Sequence, residues 1–113
     1  MINLDWQDFL GTWSSERCGF VLNSGEIVEL PNTHSDPEYS FSISQEDAQP
    51  YLGNIKAIWH THCTKDYNLS MEDYENFLEH PDLNHLIISH AGVAEYGVTN
   101  HRVVNLQRRV FNA

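Results

Sequence analysis

The stretch HTHCTKDYNLSMED contains residue types at spacings that could bind a metal ion. His60 and His62 are separated by one residue, and side chains two apart on a β-strand point to the same face, roughly 6.5–7 Å from each other. Zinc–nitrogen bonds of about 2 Å allow one ion to reach both imidazoles. A catalytic zinc also needs a third protein ligand and an open position for water. Asp73 is the natural third ligand because it falls in the first turn of the next predicted helix.

Each part of this pattern also has a purely structural explanation. Ser70 and Asp73 form an S-x-x-D sequence, close to a capping box, which alone would explain both residues at a helix start. An isolated H-x-H pair is a weak signal, and other metal folds contain it. Metallo-β-lactamase-like hydrolases place an adjacent Asp and His shortly after the pair, and this chain has no such dipeptide there, since Lys65 precedes Asp66. Cupins need a Glu a few residues after the H-x-H pair, whereas the first Glu after His62 in this chain is Glu72. Amidohydrolases need a barrel much longer than this chain could form.

Hydrophobic periodicity predicts the elements that must position these residues. IKAIWHTH alternates as a strand that ends in the His pair, and SMEDYENFLEHP begins a helix at Ser70 and ends it at Pro81. Upstream, RCGFVLNSGEIVEL predicts two strands around an NSG turn, PNTHSDPE a loop, YSFSI a half-buried strand and SQEDAQPYLG a short helical turn. HLIISH, AEYGVT and RVVNLQRRVF predict three further strands.

A first helix is predicted near the amino end, where apolar residues recur at helical spacing after the N-cap candidate Asp5: Trp6, Phe9, Leu10 and Trp13. The chain contains no repeat or linker, so residues 1–113 are expected to form a single domain. Its predicted class is α/β, of an α+β-like kind, with a mostly antiparallel central β-sheet flanked by two to three helices.

The composition limits the class of protein further. The chain has 113 residues, of which 41% are hydrophobic, and this argues against disorder. Six basic and sixteen acidic residues give a net charge of −10, which works against binding to nucleic acid or an anionic membrane. MINLDWQDFL lacks the basic region of a signal peptide and no stretch could span a bilayer, so a cytoplasmic location is expected. Cys18 and Cys63 are too few for a disulfide framework or a four-cysteine zinc site.

The joint spacing of H-x-H, seven residues and S-x-x-D resembles the signature of the JAB/MPN metalloproteases, also called JAMM proteins. That family also has a Glu upstream, and SERCGFVLNSGEIVELPN supplies Glu16 ahead of Cys18 and Gly19, with an Asn after the second strand. The resemblance covers the chain from about Trp6 to the strand near Ile88. It implies the cytidine-deaminase-like JAB/MPN fold and a zinc-dependent peptidase or isopeptidase.

The resemblance also implies a role for each site residue. Zn²⁺ would be held by His60, His62 and Asp73, with water in the fourth position and its pKa lowered to about 7. Glu16 would act as general base and pass the proton to the leaving amine. Ser70 would hydrogen-bond the oxyanion of the tetrahedral intermediate while also capping the helix.

Two features depart from the family pattern. Many members have Pro after the second His, where this chain has Cys63, a thiol that we expect to be inert. The second departure is that the insertions that grip ubiquitin in eukaryotic deubiquitinases have no counterpart here.

The other cysteine, Cys18, is expected to be a small buried hydrophobe. The segment TKDYNL, with Tyr67, is predicted to form the rim of the substrate groove.

Within the family, the sequence looks most like the JAB domain of phage tail-assembly proteins, which often carry a second, cell-wall peptidase domain. This chain resembles only the first of those two domains. The expected partner is a protein or peptide substrate, either a tail protein or a ubiquitin-like protein, and the expected location is the host cytoplasm or the virion. Two alternatives stay open: a bacterial JAB peptidase acting on ubiquitin-like or sulfur-carrier proteins, and a non-catalytic tail scaffold.

Overall fold

The structure, a computed structural model, describes residues 15–62 and 69–110. The predicted first helix over residues 6–13 lies outside the described residues, as do Cys63 and Tyr67. Within the described part of the chain, no helix is long and apolar enough to cross a membrane.

A six-stranded sheet with the order β2-β1-β3-β4-β5-β6 forms the centre of the molecule. Its strands are β1 (Cys18–Leu22), β2 (Ile27–Leu30), β3 (Ile55–Thr61), β4 (Asn84–Ile88), β5 (Gly92–Thr99) and β6 (Arg102–Val110). The described helices are α1 (Gln45–Ala48), which continues into a 3₁₀ turn (Gln49–Tyr51), and α2 (Met71–Glu79). Neighbouring strands are antiparallel except for β3 and β4, which are parallel. The predicted mixed α/β class, with a mostly antiparallel sheet, is therefore confirmed.

The predicted strand over YSFSI is wrong, because residues 39–43 form part of an irregular loop between β2 and α1. The amides of Tyr39 and Ser40 both donate to the carbonyl of Asp36, at 3.1 Å, which closes a turn. The amide of Ser42 donates to the side-chain oxygen of Asn32 at 3.1 Å. Local turn bonds and one side chain thus satisfy the backbone groups that a neighbouring strand would otherwise pair. The other predicted strands and the two described helices are present.

The sheet buries apolar residues on both faces, as its alternating side chains require. One face carries a cluster formed by Val21, Ala57, Trp59, Leu86, Ile88 and Val93. On the other face, helix α2 docks through Phe77, which is 1% exposed and packs with Ile87, Ala94 and Tyr96. His60 alternates with Trp59 along β3 and therefore lies on the α2 face.

The pairing of β1 with β3 requires a glycine at one position. Gly19 is a residue of β1, the strand that lies between β3 and β2, and it is paired with Trp59 of β3. A Cβ atom on Gly19 would stand only 1.9 Å from the carbonyl oxygen of Val28 and 2.9 Å from Trp59 Nε1. The absence of a side chain therefore permits the close approach that sets the register, and this register places Cys18 opposite His60.

The parallel pair β3 and β4 determines where α2 begins. Parallel neighbours cannot be joined by a tight turn, so the chain must return along the sheet, and α2 lies in this crossover. The amino end of α2 is consequently close to the carboxyl end of β3. The predicted site residues on these two elements meet at that edge.

His85 on β4 gives this face a pH-dependent stability. Its ring is 2% exposed, stacks on Phe77 with ring centroids 4.0 Å apart, and has Nε2 3.2 Å from the carbonyl oxygen of His80. Burial, more than any other influence, lowers the pKa of His85 from 6.5 to about 4. The unfolded chain therefore takes up a proton on His85 at higher pH than the folded chain does. Stability should fall as the pH drops from about 6.5 towards 4.

When the pH is lowered from about 7 to about 5, we expect the wild type to lose about 2 kcal/mol more of its unfolding free energy than His85→Gln does. The variant has no imidazole at this position to protonate. Urea unfolding of both proteins at both pH values, with a chelator present, measures this. Ile87→Val removes packing from the same layer without removing a titratable group, and should keep the wild-type pH dependence. An identical dependence in His85→Gln and wild type would show that His85 is not buried in its neutral form.

Candidate metal centre

His60, His62 and Asp73 come together at the carboxyl end of β3, and one potential ligand atom from each lies within 4.8 Å of the others. His60 Nε2 is 3.1 Å from Asp73 Oδ1, and His62 Nε2 is 3.0 Å from Asp73 Oδ2. Ligand atoms held at about 2.0–2.1 Å by a tetrahedral zinc are about 3.3 Å apart. The three predicted ligands are therefore close enough to hold one metal ion.

Both neighbouring strands hold the end of β3 that carries the histidines. Towards β1, the amide of Thr61 donates to the carbonyl of Arg17, and the amide of Arg17 donates to Thr61 Oγ1, each at 2.8 Å. Towards β4, the amide of His62 donates to the carbonyl of Ile88 at 2.8 Å. His62 is thus fixed by hydrogen bonding even though the strand ends at Thr61.

Asp73 is oriented by the start of α2, where it occupies the third helical position after the N-cap Ser70. The amide of Asp73 donates to Ser70 Oγ at 3.0 Å, and the amide of Ser70 donates to Asp73 Oδ2 at 3.1 Å. This is a complete capping box. The same carboxylate that faces the two imidazoles therefore also fixes the first turn of the helix.

The protonation states of the cluster suit a cation. Burial alone would raise the pKa of Asp73, but the imidazoles of His60 and His62 outweigh it and hold that pKa well below its ordinary value. Burial lowers the pKa of His60 in spite of the nearby Asp73 carboxylate. An ionised carboxylate beside a neutral imidazole is the state in which these groups bind metals.

His60 Nε2 gives a direct test of whether a metal fits. The residue is 1% exposed, and this nitrogen has no hydrogen-bond partner in the described structure, since Asp73 Oδ1 is close but poorly aligned. A buried polar atom without a partner is unfavourable. A metal ion bound by Nε2 would satisfy it, so the side chains present fit such an ion.

Glu16 lies beside this cluster without belonging to it. It precedes β1, and the register that pairs Cys18 with His60 would place Glu16 opposite His62. The residue is 6% exposed, and its carboxyl oxygens lie outside the three-residue group. Burial, with smaller contributions from the carboxylates of Asp73 and Glu72, raises the pKa of Glu16 to about 8, although His62 opposes the shift.

Cys18 of β1 lies opposite His60 of the neighbouring strand β3. It is buried as predicted, with 0% of its surface exposed. Its Sγ lies 3.7 Å from the carbonyl oxygen of Leu30. Burial raises the pKa of the thiol to about 12, with smaller contributions from Glu29 and Glu16. Among the described residues, the group of ligand atoms contains His60, His62 and Asp73 and does not include Cys18.

The loop between β2 and α1 adds contacts that sequence analysis did not identify. The ring of Phe41 stacks on His60, with centroids 4.5 Å apart and planes at 22°. His34 Nε2 lies 3.4 Å from a carboxylate oxygen of Glu72, and the Ser40 hydroxyl donates to the other oxygen. The predicted strand over YSFSI would have put Phe41 in the sheet, and no local pattern indicates its contact with His60.

Comparison with known proteins extends the description of the fold. No protein-family model matches the sequence, and no curated protein matches it either. A solved neighbour is the solution structure of protein DSY2949 from Desulfitobacterium hafniense, a target of the Northeast Structural Genomics Consortium, with a TM-score of 0.65 and 20% sequence identity. The match covers 81% of this chain and 75% of that one. At this identity the similarity concerns the fold alone.

Asp73 should be needed for both the helix cap and the metal, and α1 offers a matched control. At α1 the amide of Asp47 donates to Ser44 Oγ at 3.1 Å, the same cap position in another S-x-x-D sequence. We expect Asp73→Ala to lose metal binding and about 1 kcal/mol of stability, because the half of the capping box that the carboxylate accepts from the Ser70 amide is lost too. Asp47→Ala should lose a similar amount of stability and bind metal as the wild type does. Zinc content by mass spectrometry and urea unfolding measure the two effects, and full zinc binding by Asp73→Ala would contradict the assignment.

Proposed function

We propose that the protein is a zinc-dependent metallopeptidase of the JAB/MPN type, which hydrolyses an amide bond in a protein or peptide. The observation that carries this proposal is the buried cluster of His60, His62 and Asp73 with the carboxyl group of Glu16 beside it. A metal site that only stabilised the fold would not require a buried carboxyl group outside the ligand set. The H-x-H and S-x-x-D spacing supports the same assignment.

Zinc is the ion that suits this donor set best. Two imidazole nitrogens and one carboxylate are typical zinc ligands, whereas calcium and magnesium prefer oxygen donors alone. Three protein ligands also leave one position for water or substrate, as in catalytic sites and unlike closed structural sites. A zinc ion held here would supply a Lewis acid and lower the pKa of water to about 7.

Glu16 has the position and the environment of a general base. Burial raises the pKa of Glu16 to about 8, and a cation bound at the neighbouring cluster would lower it. A pKa near the working pH is the best value for a group that both accepts and donates a proton. Glu16 takes the proton from the attacking water and then delivers it to the nitrogen of the leaving amine.

Ser70 can act on the oxyanion without giving up its structural role. Its oxygen accepts a hydrogen bond from the Asp73 amide at 3.0 Å, and a hydroxyl that accepts still has its own proton to donate. That proton can be directed to the oxygen that becomes negative when water attacks the carbonyl. Capping of α2 thereby orients the donor.

The substrate class follows from charge and resemblance. The net charge of −10 favours neutral or basic segments over acidic ones. The resemblance of the segments ERCGFVLNSGEIVELPN, YSFSIS and IKAIWHTH to the JAB domains of phage tail-assembly proteins supports a tail protein as substrate. A bacterial peptidase of ubiquitin-like proteins would use the same residues. Cleavage assays on basic tail-derived peptides and on ubiquitin-like fusions would separate the two substrates.

We expect Glu16→Gln to bind zinc as the wild type does and to lose hydrolysis by roughly 10²–10⁴-fold, because the amide cannot accept the proton. Zinc content and cleavage of a peptide library, followed by mass spectrometry, measure the two properties separately. Glu26→Gln, which removes an exposed acid from the β1–β2 turn, is the matched control and should keep both. Loss of zinc in Glu16→Gln would instead make Glu16 a ligand. A zinc-loaded wild type that cleaves no peptide would favour a non-catalytic scaffold.

A further inference from the structure

The side chain of Asn32 organises the loop that follows β2. Its Nδ2 donates to the carbonyl oxygens of Glu16 at 2.9 Å and Ser40 at 3.0 Å. Its Oδ1 accepts from the amides of His34 and Ser42, each at 3.1 Å. One amide group therefore ties both ends of the loop to each other and to Glu16, which lies two residues before β1.

Glu16 depends on this loop because the sheet does not pair its backbone. Strand β2 ends at Leu30 and β1 begins at Cys18, so no strand of the described sheet pairs with Glu16. Its amide donates to the carbonyl of Pro37 at 2.7 Å, and its carbonyl accepts from Asn32 at 2.9 Å. Both backbone polar groups of Glu16 are thus bonded by the loop that Asn32 holds together.

The same loop also reaches the metal cluster from two other directions. Phe41 stacks on His60, while His34 and Ser40 contact Glu72 in the first turn of α2. The loop therefore contacts β3 and α2, which carry the ligands, as well as Glu16. A change in the loop would alter the position of Glu16 relative to those ligands.

We propose that Asn32 is a positioning residue that holds the carboxyl group of Glu16 at its working distance from the metal cluster. This inference rests on the proposed function of Glu16 as general base. Glu16 has no strand partner in the described sheet, so the Asn32 amide and the Pro37 carbonyl set its backbone position. Displacements of about 1 Å at a reacting group can lower rates by roughly 10²-fold.

The variant Asn32→Asp removes the donor half of the side chain, which bonds to the carbonyls of Glu16 and Ser40 and also reaches that of Pro37 at 3.4 Å. Aspartate has the same shape and keeps the acceptor for the amides of His34 and Ser42, but it cannot donate to the carbonyls of Glu16 and Ser40. Asn23→Asp, which adds the same charge to the exposed β1–β2 turn, is the matched control. Asn32→Ala, which adds no charge, serves as a second variant.

We expect both Asn32 variants to bind one zinc per chain as tightly as the wild type, while the rate of hydrolysis falls by about 10–100-fold. Hydrogen exchange in the zinc-free proteins gives a readout that does not depend on activity. The Glu16 amide should exchange roughly tenfold faster, as expected for weakening of about one hydrogen bond, while amides within β1 keep their protection. Asn23→Asp should behave as the wild type in all three measurements.

Unchanged exchange at Glu16, or unchanged hydrolysis despite faster exchange, would overturn the inference. Parallel loss of zinc and hydrolysis would also overturn it, because Asn32 would then support the ligands or the fold as a whole. An inactive zinc-loaded wild type contradicts the proposed function and is seen before any variant is compared. An active wild type with an equally active Asn32→Asp contradicts only the role of Asn32.

Discussion

The carboxylate of Asp73 joins the two elements on which the site depends. It is 5% exposed, and burial of an ionised carboxylate is unfavourable unless charges and hydrogen bonds compensate for it. The amide of Ser70 and the imidazole of His62 provide hydrogen bonds that compensate for it, and a cation bound beside His60 would add to them. Because these partners come from α2 and β3, the one carboxylate fixes the helix start against the strand end and completes the ligand set.

The sheet order makes this meeting possible. β3 lies between β1 and β4, so its carboxyl end is hydrogen-bonded on both sides, at Thr61 and His62. The parallel pairing with β4 brings α2 back along the sheet, and Phe77 anchors the helix on the face that carries His60. The position of Asp73 relative to the histidines thus follows from strand pairing and from burial of a single aromatic side chain.

Sequence analysis predicted the ligand-bearing elements well because they are governed by local patterns. Alternation identified β3, and the cap and the stop identified α2. An S-x-x-D sequence alone carries little information, since Ser44 and Asp47 form one at α1 and belong to no metal-binding group among residues 15–62 and 69–110. The S-x-x-D sequence from Ser70 to Asp73 indicates a metal site only because a strand with the H-x-H pair precedes it. Glu16 was identified by resemblance, and its place two residues before Cys18, which pairs with His60, explains why it comes near the cluster.

The loop after β2 was not predictable in the same way. YSFSI alternates as a strand should, but no partner strand is available in the described sheet, and the Asn32 side chain bonds its backbone instead. The contact between Phe41 and His60 joins residues from a loop and a distant strand, so no spacing along the chain encodes it. Such contacts around the site depend on tertiary structure, whereas the ligands themselves are marked by sequence spacing.

X-ray absorption at the zinc edge of the zinc-loaded protein tests the central claim most directly, because it reports the atoms bound to the ion. We expect nitrogen and oxygen donors at about 2.0–2.1 Å, with the outer-shell pattern of two imidazoles and no sulfur. That result would fit a site built from His60, His62 and Asp73. A sulfur donor at about 2.3 Å, or a spectrum without imidazole, would contradict it.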